Sequence, residues 1–409
     1  MEQHGISKLD LKRRNRMQVL KILKQRGPTS RIDIAGTLEL TRAAVTIITN
    51  EMIEQGIIAE IGEYKHTTEK APRGRKKILI DINHHYKFAL GVVIEEDIVS
   101  VGLSTLSGAV LDKRNLPIDA RTDKETMFSF VKTSIGEVLS DNCLKKDNIL
   151  GIGFGIFPTM YSRLGIEIVG GEPDYKSAEE FVRGYTTLPL VFDNSVKGTS
   201  MANIDFQKSK DPDRHNIAFL QYGSNLNFVV TNLNDPIISY DNRTDFVDKI
   251  IIDPNSDEIC KCGRRGCAEN EITPHAVINK LRKVFSKENT PVLYDICDGD
   301  PSKITLQAAA IARQKHDRGV RQVLDSVTNL TAVLLNNLFF STNPQKLVLH
   351  KFNMGESEFE NLIEAVTKIA GESVASKIEL SIIEEKHRFL SGCALAIREL
   401  FFNRGGFDA

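Results

Sequence analysis

Three thiols and two glycines fall in one short polar loop, Ile259-Cys260-Lys261-Cys262-Gly263-Arg264-Arg265-Gly266-Cys267-Ala268-Glu269, which holds half of the chain's six cysteines. Thiolates at C-x-C and C-x4-C spacing can converge on one soft cation when glycines let the backbone fold back. Tetrahedral zinc takes four ligands, and the loop offers three, Cys260, Cys262 and Cys267. The fourth is unassigned, and a loop of free, reduced thiols is the alternative.

A second group of residues suits contact with a polyanion. Thr41 to Gln55 has the pattern of a helix, with Thr41 as its cap and Gly56 placed to end it. Val45, Ile48 and Met52 at i, i+3 and i+7 form the expected inward stripe, which turns Arg42, Ala43, Thr46, Thr49 and Asn50 outward. A face of short side chains with no acid at its N-terminal end can enter the major groove of DNA, where Arg reaches guanine. Arg73-Gly74-Arg75 can place guanidinium groups in a narrow minor groove, the glycine lowering the steric cost. Lys12, Arg13, Arg14 and Arg16 are candidates for phosphate contacts, which add affinity without sequence information. A plain helical bundle with a solvated face and a solvated linker is the competing reading.

These side chains need elements to hold them. Apolar residues at helical spacing over Asn15–Arg26 predict a first helix that stops at Gly27-Pro28, and Thr29 or Ser30 can cap a second from Arg31 to about Leu38. The helix after Thr41 is the third. Two β-like segments, at Ile57–Gly62 and leading into Ile80, flank a polar loop, so residues 1–80 read as a winged helix-turn-helix of α+β class. They carry 16 Lys and Arg against 9 Asp and Glu, net +7, whereas the rest of the chain carries 37 against 45, net −8. A basic head on an acidic body suggests that the head meets a polyanion.

From Tyr86 the pattern changes to short apolar strands at Phe88–Ile94, Ile98–Leu103 and Gly108–Leu111, a helix around Lys124–Leu139, and a strand at Ile149–Ile156. Paired strands recur at Asn216–Gln221 and Asn227–Thr231. Helices follow at about Pro274–Val284, Ile304–Lys315 and Asp317–Asn337, then a strand at Lys346–Leu349 and a C-terminal helix at Phe389–Phe402. The expected organisation is two similar α/β lobes with a cleft: residues 81–195, closed by the C-terminal helix at about 385–409, and residues 196–384, containing the cysteine loop 259–269. A chain of 409 residues, 41% apolar and 26% charged, has room for two or three buried cores. No apolar run is expected to span a membrane, and the polar, basic Met1–Arg16 predicts no secretory signal. The expected location is the cytoplasm, where thiols stay reduced or metal-bound.

The motif Cys260-x-Cys262-Gly263-x-x-Gly266-Cys267-x-Glu269, the head pattern, and Arg73-Gly74-Arg75 ahead of the strand at Phe88 together resemble the ROK family of repressors, open reading frames and sugar kinases, in its branch of xylose and N-acetylglucosamine repressors. The resemblance spans nearly the whole chain, and the cysteine motif is its most specific part. It implies a two-lobed, actin-like (sugar-kinase-like) α/β body, a homodimer or tetramer, structural zinc, a sugar or sugar-derived effector, a role in carbohydrate metabolism, and an inverted-repeat DNA operator.

The family's catalytic positions are altered here. The resemblance places an Asp-x-Gly-Gly-Thr phosphate turn at Val93-Ile94-Glu95-Glu96-Asp97, where three carboxylates would repel a triphosphate. A second phosphate loop and an adenosine turn fall at Gly223-Ser224-Asn225-Leu226-Asn227 and His350-Lys351-Phe352, both without the family's glycines, so ATP is not expected. The general-base position falls on Asn194 in Asp193-Asn194-Ser195-Val196, and an amide cannot take the proton. The zinc histidine falls within Phe246-Val247-Asp248-Lys249. Lys249 would have to lose a proton to bind zinc, whereas Asp248, a distant His or a water could complete the shell. Glu269 survives from the sugar-contact set, and with Asn194 it is the candidate effector contact. The expectation is a sequence-specific DNA-binding repressor with a non-catalytic body. The alternatives are an ATP-dependent sugar kinase with an appended DNA-binding head, and a partner protein that has lost effector binding.

Overall fold

A computed structural model of the protein describes residues 8–63, 77–207, 216–223, 225–232, 240–241, 247–352 and 354–407. Helix α1 (Lys8–Arg26) begins at Lys8 rather than Asn15. Its first turns expose Leu9 and Leu11, so tertiary contacts rather than an apolar stripe hold them: Lys12 pairs with Glu51 at 2.5 Å and Arg13 donates to the Asn403 carbonyl at 2.8 Å. Strand β1 (Thr29–Ser30) leads into α2 (Arg31–Leu38), where the Ser30 side chain accepts from the Asp33 amide. In α3 (Arg42–Glu54) Thr41 caps the Ala44 amide. Strands β2 (Ile58–Glu63) and β3 (Ile78–Ile82) complete an antiparallel sheet in the order β1-β3-β2. Val19, Leu20, Leu23, Ile34, Val45, Met52 and Ile57 are fully or almost fully buried and form the core of this N-terminal segment.

The chain continues through β4 (Phe88–Ile94), β5 (Ile98–Ser104), β6 (Val110–Pro117), α4 (Lys124–Asp141) and β7 (Ile149–Ile156). The short helix α5 (Tyr161–Leu164), the hairpin β8 (Glu167–Val169) and β9 (Glu172–Asp174), α6 (Lys176–Arg183), β10 (Leu190–Asn194) and α7 (Ser195–Asp205) follow. Among the described residues the sheet order is β10-β7-β4-β5-β6, with β10, β7 and β4 parallel and the rest antiparallel. Every residue of β7 is buried, which is why it reads as an unbroken apolar and glycine run.

The next sheet repeats that plan. Strands β11 (Asn216–Tyr222), β12 (Leu226–Asn232) and β13 (Tyr240–Asp241) are antiparallel. Helices α8 (Ala268–Ile272), α9 (Pro274–Val284), α10 (Pro291–Ile296), α11 (Leu306–Gln314) and α12 (Arg318–Thr342) precede β14 (Lys346–His350), α13 (Glu356–Ala370), α14 (Glu372–Ala375) and β15 (Ile378–Leu380). The order is β13-β12-β11-β14-β15, with β11, β14 and β15 parallel. Helix α12 is long and apolar enough to cross a membrane by length and composition, counter to the expectation that no stretch would be. Leu324, Val327, Leu334 and Leu335 from it are buried in the core of this unit, so the same residues are accounted for by packing.

Helix α15 (Leu390–Ile397) is buried along its whole length and runs on into a π-helical turn, Arg398–Phe402. It packs on β4 and β7 at backbone contact distance: a Cβ at Gly153 would lie 2.0 Å from the Gly392 carbonyl oxygen. Two compact units result, Met1–Asp213 with Ile383–Ala409, and Arg214–Ile382. The division falls at 213/214 rather than 195/196 because α7 packs on α15.

Candidate nucleic-acid interface and metal centre

Helix α3 exposes Arg42, Ala43, Thr46 and Asn50 as expected, but Thr49 is fully buried. Its hydroxyl donates to the Val45 carbonyl at 2.8 Å and accepts from Arg31 Nε at 3.0 Å. The inward stripe is therefore Val45, Thr49 and Met52, with Ile48 half-buried. Choosing the inward face by apolarity alone selects Ile48; a polar residue can take the position here because Arg31 satisfies its hydroxyl across the helix pair. Arg31 also donates to Asn50 Oδ1 at 3.2 Å and pairs with Glu60 at 2.8 Å. Sequence reasoning missed Arg31 in this role, and it missed Ile47, which is 69% exposed beside Thr46. The spacing 43, 46, 47, 50 was the available signal for the latter.

Arg73, Gly74 and Arg75 lie outside the described residues. Of the candidate phosphate contacts, Arg14 is exposed, whereas Arg16 is buried. Its guanidinium donates to the Gly405 carbonyl and to Gln55 Oε1, each at 2.8 Å, and lies 3.9 Å from the centre of the Phe407 ring. Arg16 is thus a packing residue. The apolar pattern could not show this, because two of the residues that enclose it, Gly405 and Phe407, are nearly 400 positions away, at a separation of 389 for Gly405.

In the second unit the cysteine loop closes on itself. The Ile252 amide donates to the Gly266 carbonyl at 2.8 Å, and the Cys260 amide donates to Arg264 at 2.8 Å. Gly266 has φ +67, and a Cβ there would sit 1.7 Å from the Asp253 carbonyl oxygen, so only glycine fits. The three sulfurs lie within 4.8 Å of one another, with Cys262 and Cys267 3.6 Å apart. Zinc at about 2.3 Å from each sulfur separates tetrahedral ligands by about 3.8 Å, so these residues fit three corners of such a site.

Lys249 is not turned to that role. Its ammonium is bound by Asp248 at 2.9 Å and by Glu269, whose Oε2 also accepts from Cys260 Sγ at 3.4 Å. Burial disfavours the Lys249 charge, but the hydrogen bonds it donates to Glu269 and Asp248 outweigh it and raise its pKa. The Arg264 side chain and amide push the exposed Cys262 thiol down to about 6, while burial pushes Cys267 up to about 12. Of the three sulfurs only Cys262 is thereby favoured as a thiolate, with the Arg264 guanidinium beside it, while Lys249 is matched by Asp248 and Glu269.

The family model described as ROK family matches residues 247–391, which include this loop. The chain is similar to ROK family proteins. It is 23% identical over 400 residues to the xylose repressor of Caldicellulosiruptor bescii, covering 95% of this chain and 97% of that one. It is 24% identical over 363 residues to the DNA-binding transcriptional dual regulator NagC of Escherichia coli K12, covering 85% and 82%. A crystal structure of a ROK family transcriptional regulator, a homolog of the E. coli MLC protein, superposes with TM-score 0.70 at 19% identity and covers 97% of this chain and 98% of that one. A ROK glucokinase from Streptomyces griseus, in complex with glucose and AMPPNP, superposes with TM-score 0.56 at 14% identity, covering 76% of this chain and 99% of that one. These likenesses show the fold.

The positions that the resemblance singles out for catalysis have structural partners in this chain. Glu95 is 3% exposed, accepts from Ser195 Oγ at 3.3 Å, and pairs at 3.0 Å with Arg388, which also reaches Asp97 at 2.7 Å. A guanidinium from the C-terminal segment, itself also bound by Glu385, therefore pairs with two of the three acids at the position that the resemblance assigns to the phosphate turn. Asn194 Oδ1 accepts from the Val196 amide at 2.8 Å and caps α7, while Asp193 pairs with Lys197 at 2.6 Å. His350 is buried, with Nδ1 3.0 Å from Ser381 Oγ. Asn194 belongs to the first unit and Glu269 to the second, and each already has a local partner.

Proposed function

We propose that the chain is a sequence-specific DNA-binding transcriptional regulator of ROK type, a repressor acting in the cytoplasm. In this reading residues 1–80 are a winged helix-turn-helix, and the body dimerises and senses a sugar-derived effector without transferring phosphate. The observation that carries it is the exposed, acid-free N-terminal face of α3, with Arg42, Ala43, Thr46 and Asn50 set over a closed core of their own. The names of the relatives, xylose repressor and transcriptional dual regulator, point the same way. Helix α3 would enter the major groove and Arg73, Gly74 and Arg75 the minor groove, in two half-sites related by the dimer axis. Footprinting on the DNA upstream of the protein's own gene tests this, with a protected inverted repeat as the expected result. Arg42→Ala should cost about 1–3 kcal/mol at one or two base positions only; an equal loss on every sequence would reject base reading by Arg42.

Arg388 at the phosphate turn and Asn194 at the base position support a non-catalytic body. The likeness to a glucokinase favours a second reading, a sugar kinase with a DNA-binding head. A coupled assay with ATP and a panel of hexoses separates the two, and no turnover is expected. Melting temperatures with sugars and sugar phosphates report the effector, since a ligand of the folded state raises them. Zinc is assigned a structural role on Cys260, Cys262 and Cys267.

A further inference from the structure

On the outward side of α3 the residues at i, i+3, i+4 and i+7 are Ala43, Thr46, Ile47 and Asn50, and all four are exposed. The middle of this face is apolar. Thr46 donates its hydroxyl to the Arg42 carbonyl at 2.7 Å, a bond within the helix that leaves its methyl as the distinctive group. Ile47 is 69% exposed, while the N-terminal core is already filled by Val45, Met52, Ile34 and Ile57. An isolated exposed isoleucine needs no explanation. This one, however, sits in the centre of a stripe that begins beside Arg42 and ends at Asn50, whose Oδ1 is held by Arg31. The helix carries no acid before Glu51, so the cationic neighbours favour a polyanion over this face. Isoleucine is also a weaker helix former than alanine or leucine, so local propensity does not account for it.

We infer that Ile47 is a specificity-determining residue that packs on the C5-methyl group of a thymine in the major groove. This rests on the DNA-binding reading of α3. The major groove displays that methyl beside the thymine O4 acceptor, and it is the apolar feature a branched aliphatic side chain can distinguish. Ala43 and the Thr46 methyl flank the contact and exclude water from it.

The test uses the full chain and a duplex that the wild-type protein selects from a randomised pool. Each thymine in one protected half-site is replaced in turn by deoxyuridine, which removes only the methyl. Wild-type protein should lose about fourfold in affinity at one position, the loss of one buried methyl. Ile47→Ala should bind the thymine duplex more weakly by at least that factor and no longer distinguish thymine from uracil at that position. Ile47→Val should fall between the two. Because Ile47 is exposed, both variants should melt with the wild type. A wild-type protein indifferent to every deoxyuridine, or an Ile47→Ala variant with full thymine discrimination, overturns the assignment while leaving DNA binding intact. A loss equal on thymine and uracil duplexes, with altered sedimentation, overturns it in favour of a protein contact. Failure of the wild type to enrich any sequence overturns the DNA-binding reading and Ile47's role with it.

Discussion

At Gly266 the addition of one carbon atom decides whether the cysteine loop can close. The Asp253 carbonyl oxygen occupies the place of a Cβ, 1.7 Å away, and φ is +67. Gly263 differs: its φ is +83, but nothing lies within 4 Å of a Cβ there. Gly266→Ala should therefore cost about 1–3 kcal/mol in urea unfolding and drop bound zinc, measured by elemental analysis, below about half an equivalent. Gly263→Ala should cost about 1 kcal/mol and keep the metal. Thr49 offers a second contrast. Thr49→Val retains the shape but leaves Arg31 Nε without its acceptor, so stability should fall by about 1 kcal/mol. DNA affinity should then fall equally on all sequences, unlike the base-selective loss of Arg42→Ala, because Thr49 faces the core.

At the scale of elements, α1 is tied to the end of the chain. Lys24 pairs with Asp205 at 2.7 Å, Arg398 pairs with the same carboxylate at 2.8 Å, and Lys24 lies 4.1 Å from the Phe402 ring centre. One buried carboxylate at the end of α7 thus joins α1 to the π-helical turn after α15. Burial opposes ionisation of Asp205, but Arg398 and Lys24 outweigh it and hold its pKa below the usual aspartate range. A depressed folded pKa contributes stability above about pH 4 that is lost as pH falls through the lower folded value. Asp205→Asn should cost about 3–5 kcal/mol at neutral pH, because two cations lose their buried partner. It should also remove the part of the acid sensitivity that appears below about pH 4, which unfolding curves against pH will show.

For the whole molecule, the net +7 of residues 1–80 against −8 in the remainder predicts orientation towards DNA and strong salt dependence. Not every basic side chain contributes. Arg14→Ala should reduce the slope of log K against log salt by about 1 if the side chain meets a phosphate, uniformly across sequences. Arg16→Ala should instead lower the melting temperature, since its guanidinium is enclosed by Gly405, Gln55 and Phe407. Titrations at several salt concentrations, paired with thermal unfolding, distinguish the two.

The sequence alone was enough to locate the helices from Arg31 and Arg42, the strands from Phe88 and Ile149, and the cysteine triad, because each is written in local terms: a cap, a period, a spacing between glycines. The inward face of α3 was legible only in part, since apolarity marks Val45 and Met52 but not a threonine whose hydroxyl is satisfied by Arg31. Tertiary structure alone decided what Arg16, Asp205 and Arg388 do, because their partners are brought near by the return of the chain through α15, and charge has no sequence period. It also decided the cysteine loop's surroundings. The spacing of Cys260, Cys262 and Cys267 says that three sulfurs can meet; that Lys249 arrives as a counter-charge bound by Asp248 and Glu269 depends on two segments that only packing places together.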